Sequence, residues 1–359
     1  MQVCRSVLAL EPAHPRANFK CGSALRQLRR EPDALVHYRR HLVHNPDDEQ
    51  ARFWIAVLSG DDVARMPASH VAALFDFYAP KFEEHLVQSL QYCTPEALVG
   101  VLAEAARLPD ARRDGGGRQR WGCAIDIGCG TGLMGPLLRE HVSSLDGVDL
   151  SAKMVDKARD KGCYDRLFVE DAVNFLSEQK GRGSGYDLLV AADVLVYIGD
   201  LEPLLRAAAG VSRDGTLFAC STECTSDVPD GGDGAVATPG ADTLRNGSAT
   251  DSTGAVSQPC AGRTGGSGDA EADTHSAGPG QAAPGDSGPD DGTTGAAAGG
   301  DSAGALGYRC SITGRFRHDT EYVKQVATAQ GWRLLKHEQA RIRCNAGKPV
   351  MGDLFVFVA

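Results

Sequence analysis

The amino-acid sequence predicts an α/β protein: a doubly wound, mostly parallel seven-stranded sheet preceded by a short, repeat-like α-helical segment. Three observations carry this expectation. From residue 121 onward, short apolar runs alternate with helical stripes, the pattern of a parallel sheet covered by helices on both faces. The first run leads straight into a glycine loop, AIDIGCGTGLMG at 124–135. Residues 1–60 instead carry small, aromatic and proline residues at a helical-repeat spacing.

In that first segment Pro12 and Pro46 stand 34 residues apart, with Gly22, Ala34 and Tyr38 between them. These positions resemble the small, small, aromatic and proline positions of a tetratricopeptide (TPR) repeat. Gly22 and Ala34 would let two helices approach closely, and Tyr38 would pack at the boundary of the next repeat. The signal covers one whole repeat, part of an earlier one and the start of another at ARFWIAVL, 51–58; an ordinary helical hairpin is the alternative. Repeats need neighbours to bury a continuous face, so the array is either truncated or packs on the domain C-terminal to it. Residues 61–120 read as a helical lid and linker. LFDFYAPKFEEHLVQSL at 74–90 has apolar residues at 74, 75, 78, 82, 86 and 90, a helical stripe. ARRDGGGRQR at 111–120 is a polar linker.

The predicted cofactor-binding core spans 121–224. Its strands are CAIDI, LDGVDL, RLFVED, YDLLVAAD and GTLFACST. Between them lie helices such as LMGPLLREHV, with Pro136 in the first turn, and SAKMVDKARDK, opened by Ser151 and closed by Gly162. Residues 307–359 add a capped helix, DTEYVKQVATAQ, and two strands, WRLLKHEQARI and DLFVFVA, close enough in sequence to pair antiparallel.

Residues 225–306 interrupt the core. They contain no Phe, Tyr or Trp and are dominated by Gly, Ala, Ser, Thr, Asp and Pro, too little apolar surface to offset the entropy of ordering. They are read as a disordered insertion. Their charge sums to −10, the net charge of the whole chain, so the remaining residues balance. No basic excess marks a nucleic-acid footprint. Eleven cysteines without a CxxC pair argue for reduced thiols in a cytoplasmic setting rather than a disulfide or zinc framework, and no metal is expected. No secretory signal is recognisable, although five Arg and one Lys within residues 1–30 keep an organellar transit segment as an alternative. The longest apolar run, LLVAADVLVYI at 188–198, contains Asp193 and is too short to span a bilayer.

At the carboxyl edge of a doubly wound sheet, glycines permit close approach of a ligand and the following helix offers free N–H groups to an anion. Gly130, Gly132 and Gly135 satisfy GxGxxG, which alone suits either a dinucleotide pyrophosphate or the carboxylate of S-adenosylmethionine. Asp126 favours the second. A pyrophosphate beside it would be repelled by about 1–4 kcal/mol per charge pair at 4 Å, whereas the ammonium and sulfonium of S-adenosylmethionine are cations. Asp149, Asp171 and Asp193 close the next three strands. They read as a ribose acid, an acceptor for the adenine amine, and a further acid facing the cleft.

Residues 122–223 resemble the class I S-adenosylmethionine-dependent methyltransferases, through DIGCGTG, GVDLSAKM, VEDA and AADVLVYIGDL. FDFYAPKFEEHL, DGVDLSAKMVDKAR and GYRCSITGRFRHDTEYV resemble, more narrowly, a group of predicted methyltransferases with N-terminal TPR repeats. The resemblance implies that Gly128, Cys129, Gly130 and Gly132 line the methionine moiety and that Asp149 binds ribose. It further implies that Leu150 and Met154 flank the adenine, and that Asp171 with Ala172 reads its edge. The 74–90 helix would lie over the cofactor with Tyr78 and Phe82 near the sulfonium, where an aromatic face adds roughly 0.5–2 kcal/mol. The final two strands would form the reversed edge of that fold.

Methyl transfer is an in-line displacement that mainly requires positioning; a base is needed only if the acceptor has a proton to lose. Tyr197, His85, His318 and Asp193 are the candidates on the acceptor side, with Arg315 and Arg317 able to hold an acidic acceptor. No catalytic residue is assigned. The expected function is methyl transfer to an unidentified small molecule or protein, with the repeats as a docking surface for a protein partner. An NAD(P)-dependent oxidoreductase and a TPR adaptor with an inactive methyltransferase domain are the alternatives.

Overall fold

The computed structural model describes residues 2–108, 121–181, 185–224, 306–345 and 347–359. The expected polar linker, and the expected insertion apart from Leu306, lie outside the described residues.

The chain starts with four helices, α1 (Gln2–Leu10), α2 (Pro15–Gln27), α3 (Glu31–Leu42) and α4 (Glu49–Ser59). Pro15 opens α2, where its missing N–H is harmless, and Asp48 caps α4 by accepting from the Ala51 N–H at 2.8 Å. The spacing of Gly22 and Tyr38 has a direct physical reading. A Cβ on Gly22 would meet the Tyr38 ring at 3.0 Å, so the glycine lets α2 lie against α3. Tyr38 packs on Gly22 within the α2–α3 pair and is fully buried with Ala34, in one apolar cluster with Ala51 of α4. Their core continues through Phe53 and Trp54 into Met66, Val71 and Phe316. The helical face is thus closed by residues downstream of it.

The predicted single helix over 74–90 is broken. α5 (Ala68–Tyr78) is followed by a 3₁₀ turn (Ala79–Lys81) and a π turn (Glu84–Ser89), because Pro80 lacks the N–H that would continue the ladder. α6 (Thr94–Ala105) also departs from the expected lid. Its Leu98, Val101, Leu102 and Ala105 are buried against Ala124, Leu145, Leu188 and Val356 of the sheet.

Five parallel strands come first: β1 (Trp121–Ile127), β2 (Val142–Asp149), β3 (Arg166–Val169), β4 (Tyr186–Ala191) and β5 (Ser212–Glu223). A separate hairpin joins β6 (Tyr308–Cys310) to β7 (Phe316–His318). β8 (Arg333–Asn345) and β9 (Lys348–Val358) complete the main sheet, whose order is β3-β2-β1-β4-β5-β9-β8. β9 pairs antiparallel with β5, and β8 antiparallel with β9. Helices α7 (Met134–Arg139), α8 (Ala152–Asp160), α9 (Ala172–Gln179), α10 (Glu202–Gly210) and α11 (Thr320–Ala329) connect the strands, and the sheet buries one apolar layer on each face. β2 begins three residues before the expected LDGVDL run, at Val142, because α7 ends early at Arg139.

Strand order reverses at β1, which lies between β2 and β4. Residues 64–66 run along the exit of β4. Gly199 and Asp200 donate to the Ala64 carbonyl at 2.7 and 2.8 Å, and Met66 donates to the Tyr197 carbonyl at 3.1 Å. These bonds hold the connection between α4 and α5 over the carboxyl edge. No helix among the described residues is long and apolar enough to cross a membrane.

Candidate functional site

The loop after β1 turns because its glycines take a left-handed backbone: φ is 65° at Gly128, 53° at Gly130 and 82° at Gly132. A side chain at Gly128 would also collide with the Val194 methyl groups just after β4. The loop is fixed from β2, where the Val148 carbonyl accepts from Gly128 and Cys129 at 2.7 and 3.1 Å. Asp149 ties it further. Its Oδ2 accepts from the Gly130 N–H at 2.9 Å and its Oδ1 from the Ser151 N–H at 2.8 Å.

Asp126 is almost fully buried, and its Oδ2 accepts from the Tyr164 hydroxyl at 2.6 Å. Burial pushes its carboxyl up to about 7, against the downward pull of that hydrogen bond. Burial also raises Asp149. Neither acid has an ion pair among the described residues. Two carboxylates beside one glycine loop, both strained in their charged form, form a place where a cation is stabilised.

Asp171 and Asp193, expected at the adenine edge and facing the cleft, line the cavity and are each paired with an arginine. Asp171 caps α9 by accepting from Val173 and Asn174 at 3.0 and 3.2 Å, and its Oδ2 pairs with Arg65 at 2.5 Å. Asp193, held at φ 58°, donates its N–H to Ser221 Oγ at 2.8 Å and pairs with Arg315 at 2.8 Å. Behind it stands Glu223. Burial would raise that carboxyl, but the Arg315 and Arg343 charges outweigh burial and hold it at about 2.

Above the loop, Asp76 of α5 accepts from Ser151 Oγ at 2.6 Å and from the Lys153 N–H at 3.2 Å, and Glu83 pairs with Lys161 at 2.6 Å. Tyr78 is buried, hydrogen-bonded to His85 and edge-on to Phe82, with ring centroids 5.3 Å apart. The broken helix therefore packs on the segment that follows β2, and Tyr78 and Phe82 line the cavity.

One cavity of about 960 Å³ gathers most of the expected site. It is lined by Tyr78, Asp126, Gly128, Cys129, Gly130, Asp149, Leu150, Asp171, Ala172 and Asp193. Gly132 and Met154 are outside the lining. Gly132 is pressed between Ala158 and Tyr164, where a Cβ would meet atoms at 3.1 and 3.0 Å, and Met154 is fully buried beneath Ser151, to which its N–H donates. Tyr197, His85 and Arg315 reach the cavity, while His318 and Arg317 do not. His318 is buried with Nε2 donating to the Ile198 carbonyl at 2.8 Å, and burial lowers its pKa to about 4. It is a structural histidine.

Sequence reasoning missed Tyr164, Arg343 and the wall contributed by Arg26 and Trp54. Tyr164 follows the end of α8 with no motif around it. Arg343 becomes a neighbour of Glu223 only through the pairing of β5 with β9 and of β9 with β8.

The order of the sheet and the acid-flanked glycine loop define a doubly wound α/β domain with a ligand cleft at its topological switch point. Residues 125–218 match a family model described as a methyltransferase domain. Among curated proteins, the chain is 27% identical over 168 residues to a malonyl-[acyl-carrier protein] O-methyltransferase of Salmonella typhimurium, covering 47% of this chain and 59% of that protein. It is 29% identical over 93 residues to nodulation protein S of Rhizobium tropici, covering 25% of this chain and 37% of that one. The chain thus spans less than two thirds of the length of each of these relatives. Among solved structures, a magnesium protoporphyrin IX methyltransferase of Synechocystis with bound S-adenosylmethionine superposes with a TM-score of 0.43 at 11% identity, covering 83% of this chain and 99% of that one. Residues 125–218 thus carry a methyltransferase domain, built on the sheet whose order reverses at β1.

Proposed function

We propose that the protein transfers a methyl group from S-adenosylmethionine to an acceptor bound in the same cavity. The observation that carries this reading is the pair Asp126 and Asp149, both buried at the glycine loop and without an ion pair among the described residues. A cationic ligand relieves both carboxylates. A dinucleotide pyrophosphate would add two negative charges to them, which disfavours the oxidoreductase alternative.

In this reading Gly128, Cys129 and Gly130 approach the methionine end, with Asp126 behind them, and Asp149 accepts from the ribose hydroxyls through the lone pairs its backbone bonds leave unused. Leu150 and Ala172 flank the base. Bound S-adenosylmethionine supplies an electrophilic methyl on a sulfonium. The chain's own residues bind, orient and exclude water, and the lid formed by α5 and the two turns after it covers the reacting atoms with Tyr78 and Phe82.

The TPR-like helices act as the acceptor-side wall and docking surface. Support comes from Phe19, Arg26 and Trp54, which line the same cavity as the glycine loop. Two readouts test the proposal: incubation of the protein with methyl-labelled S-adenosylmethionine and cell extract, and S-adenosylhomocysteine formation in the same mixture. Label in an acceptor fraction supports it; a protein that binds the donor and transfers nothing from it in any fraction contradicts it and favours an adaptor.

A further inference from the structure

The cavity is lined by the acids Asp126, Asp149, Glu170, Asp171 and Asp193 and by the cations Arg16, Lys20, Arg26, Arg65, Arg315 and Arg343, with Arg65 paired to Asp171 and Arg315 to Asp193. Glu223 stands behind Arg315 and Arg343 and pairs with both.

Two of these arginines are buried with an unused donor. Arg343 of β8 has a side chain 7% exposed. Its Nη2 donates to Glu223 at 2.5 Å, and its Nη1, 3.8 Å from Asp193, has no hydrogen-bond partner among the described residues. Arg26 of α2 is 6% exposed, stacks 3.5 Å from the Trp54 ring centroid and donates to the Ile312 carbonyl, yet its Nε has no partner among the described residues. Buried charged donors are normally satisfied, so both point to an anionic occupant. The position of Arg343 matters most. It lines the same cavity as the glycine loop, and its Nη1 is 3.8 Å from Asp193 at the exit of β4, the strand next to β1.

We propose that the acceptor is an amphiphilic carboxylic acid whose carboxylate is drawn to Arg343 and Arg315 and is itself methylated, giving a methyl ester. The proposal rests on the methyltransferase reading above. Its apolar body lies along Phe19, Trp54 and Phe75, which line the same cavity. A lone pair of the carboxylate oxygen forms the new O–CH₃ bond as the S–CH₃ bond breaks, and the electron pair of that bond returns to sulfur. No proton leaves the acceptor, so no base is required. The side chains around the site suit such a reaction. Asp193 is paired with Arg315, the Tyr197 hydroxyl accepts from Arg315 at 3.1 Å, and His85 Nδ1 is engaged by Tyr78.

The test treats full-length protein with cell extract and methyl-labelled S-adenosylmethionine, then exposes the products to mild base and traps volatile methanol. Methyl esters release their label and methyl ethers or amines do not. The proposal expects most label to be base-labile. Label retained in base-stable products overturns it while leaving methyl transfer intact; absence of any label overturns the methyltransferase reading itself. Arg343→Gln is then compared by titration with S-adenosylhomocysteine and by the same assay, with Arg343→Lys as a charge-keeping control. Base-labile label reduced at least tenfold with cofactor affinity unchanged, and partly restored in the lysine variant, supports the assignment. Unchanged label, or lost cofactor affinity in a folded protein, contradicts it.

Discussion

The Tyr164 hydroxyl donates to Asp126 across 2.6 Å, and the same ring presses against the glycine loop from behind: a Cβ on Gly135 would meet Tyr164 Cε2 at 2.7 Å. One side chain therefore shapes the loop and tunes the acid in front of it. That coupling makes cofactor affinity depend on pH in a defined direction. A bound sulfonium favours the charged form of Asp126, whose carboxyl lies at about 7 without ligand, so binding releases a proton. Affinity for S-adenosylmethionine is expected to weaken as pH falls below about 7, by up to about tenfold per unit. Tyr164→Phe removes a bond that lowers Asp126 and shifts the midpoint upward. Titration calorimetry between pH 5.5 and 8 checks both; a flat profile contradicts them.

The same shift works against the unliganded fold. Asp126 is raised from 3.8 to about 7, so the folded state prefers the protonated acid. Its contribution to stability is complete below about pH 4 and is lost as pH rises through 7. Asp126→Asn should remove this loss, raising the melting temperature of ligand-free protein at pH 8 relative to pH 5 while weakening cofactor binding. Thermal melts at the two pH values measure it.

Asp149→Ala removes the acceptor of the Gly130 and Ser151 N–H groups as well as the expected ribose contact. Cofactor affinity should fall by about 1–3 kcal/mol, with a smaller loss of stability. An unchanged dissociation constant would remove Asp149 from the site.

Gly128 combines a φ of 65° with Val194 methyl groups where a Cβ would stand. Gly128→Ala is expected to abolish measurable binding. Adding Val194→Ala should restore part of it, because the collision is relieved while the backbone strain of roughly 1–2 kcal/mol remains. A double variant no better than the single one would show that strain alone matters.

Glu223 is held at about 2, below its ordinary 4.5, by the arginines at its side. Its stabilisation is present above about pH 4.5 and disappears as pH falls through 2. Glu223→Gln at pH 7 leaves Arg315 and Arg343 with one buried partner fewer and should lower stability by about 3–5 kcal/mol, read by denaturant unfolding.

Local signals were legible in the sequence. Alternating apolar runs named the five parallel strands and the reversed pair, because strand and helix periods are short-range properties. Asp126, Asp149, Asp171 and Asp193 stood visibly at strand ends, and Gly22 and Ala34 marked a close helix pair. What stayed hidden were relationships across the chain. Whether Asp171 and Asp193 face a ligand or a partner depends on Arg65 and Arg315, separated from them by 106 and 122 positions. The apolar stripe of 74–90 was real, but periodicity does not register that Pro80 breaks the backbone ladder. Leu98 and its neighbours in α6 looked like lid residues because burial against the sheet is invisible before the sheet is assembled.

The central claim is that two buried carboxylates at this glycine loop, without an ion pair among the described residues, select a cationic methyl donor over a dianionic dinucleotide. Titration calorimetry of the full-length protein with S-adenosylmethionine and with NAD, side by side at pH 7.5, tests it most directly. Micromolar binding of the first and none of the second is the predicted result. Binding of NAD with no binding of S-adenosylmethionine would contradict the account.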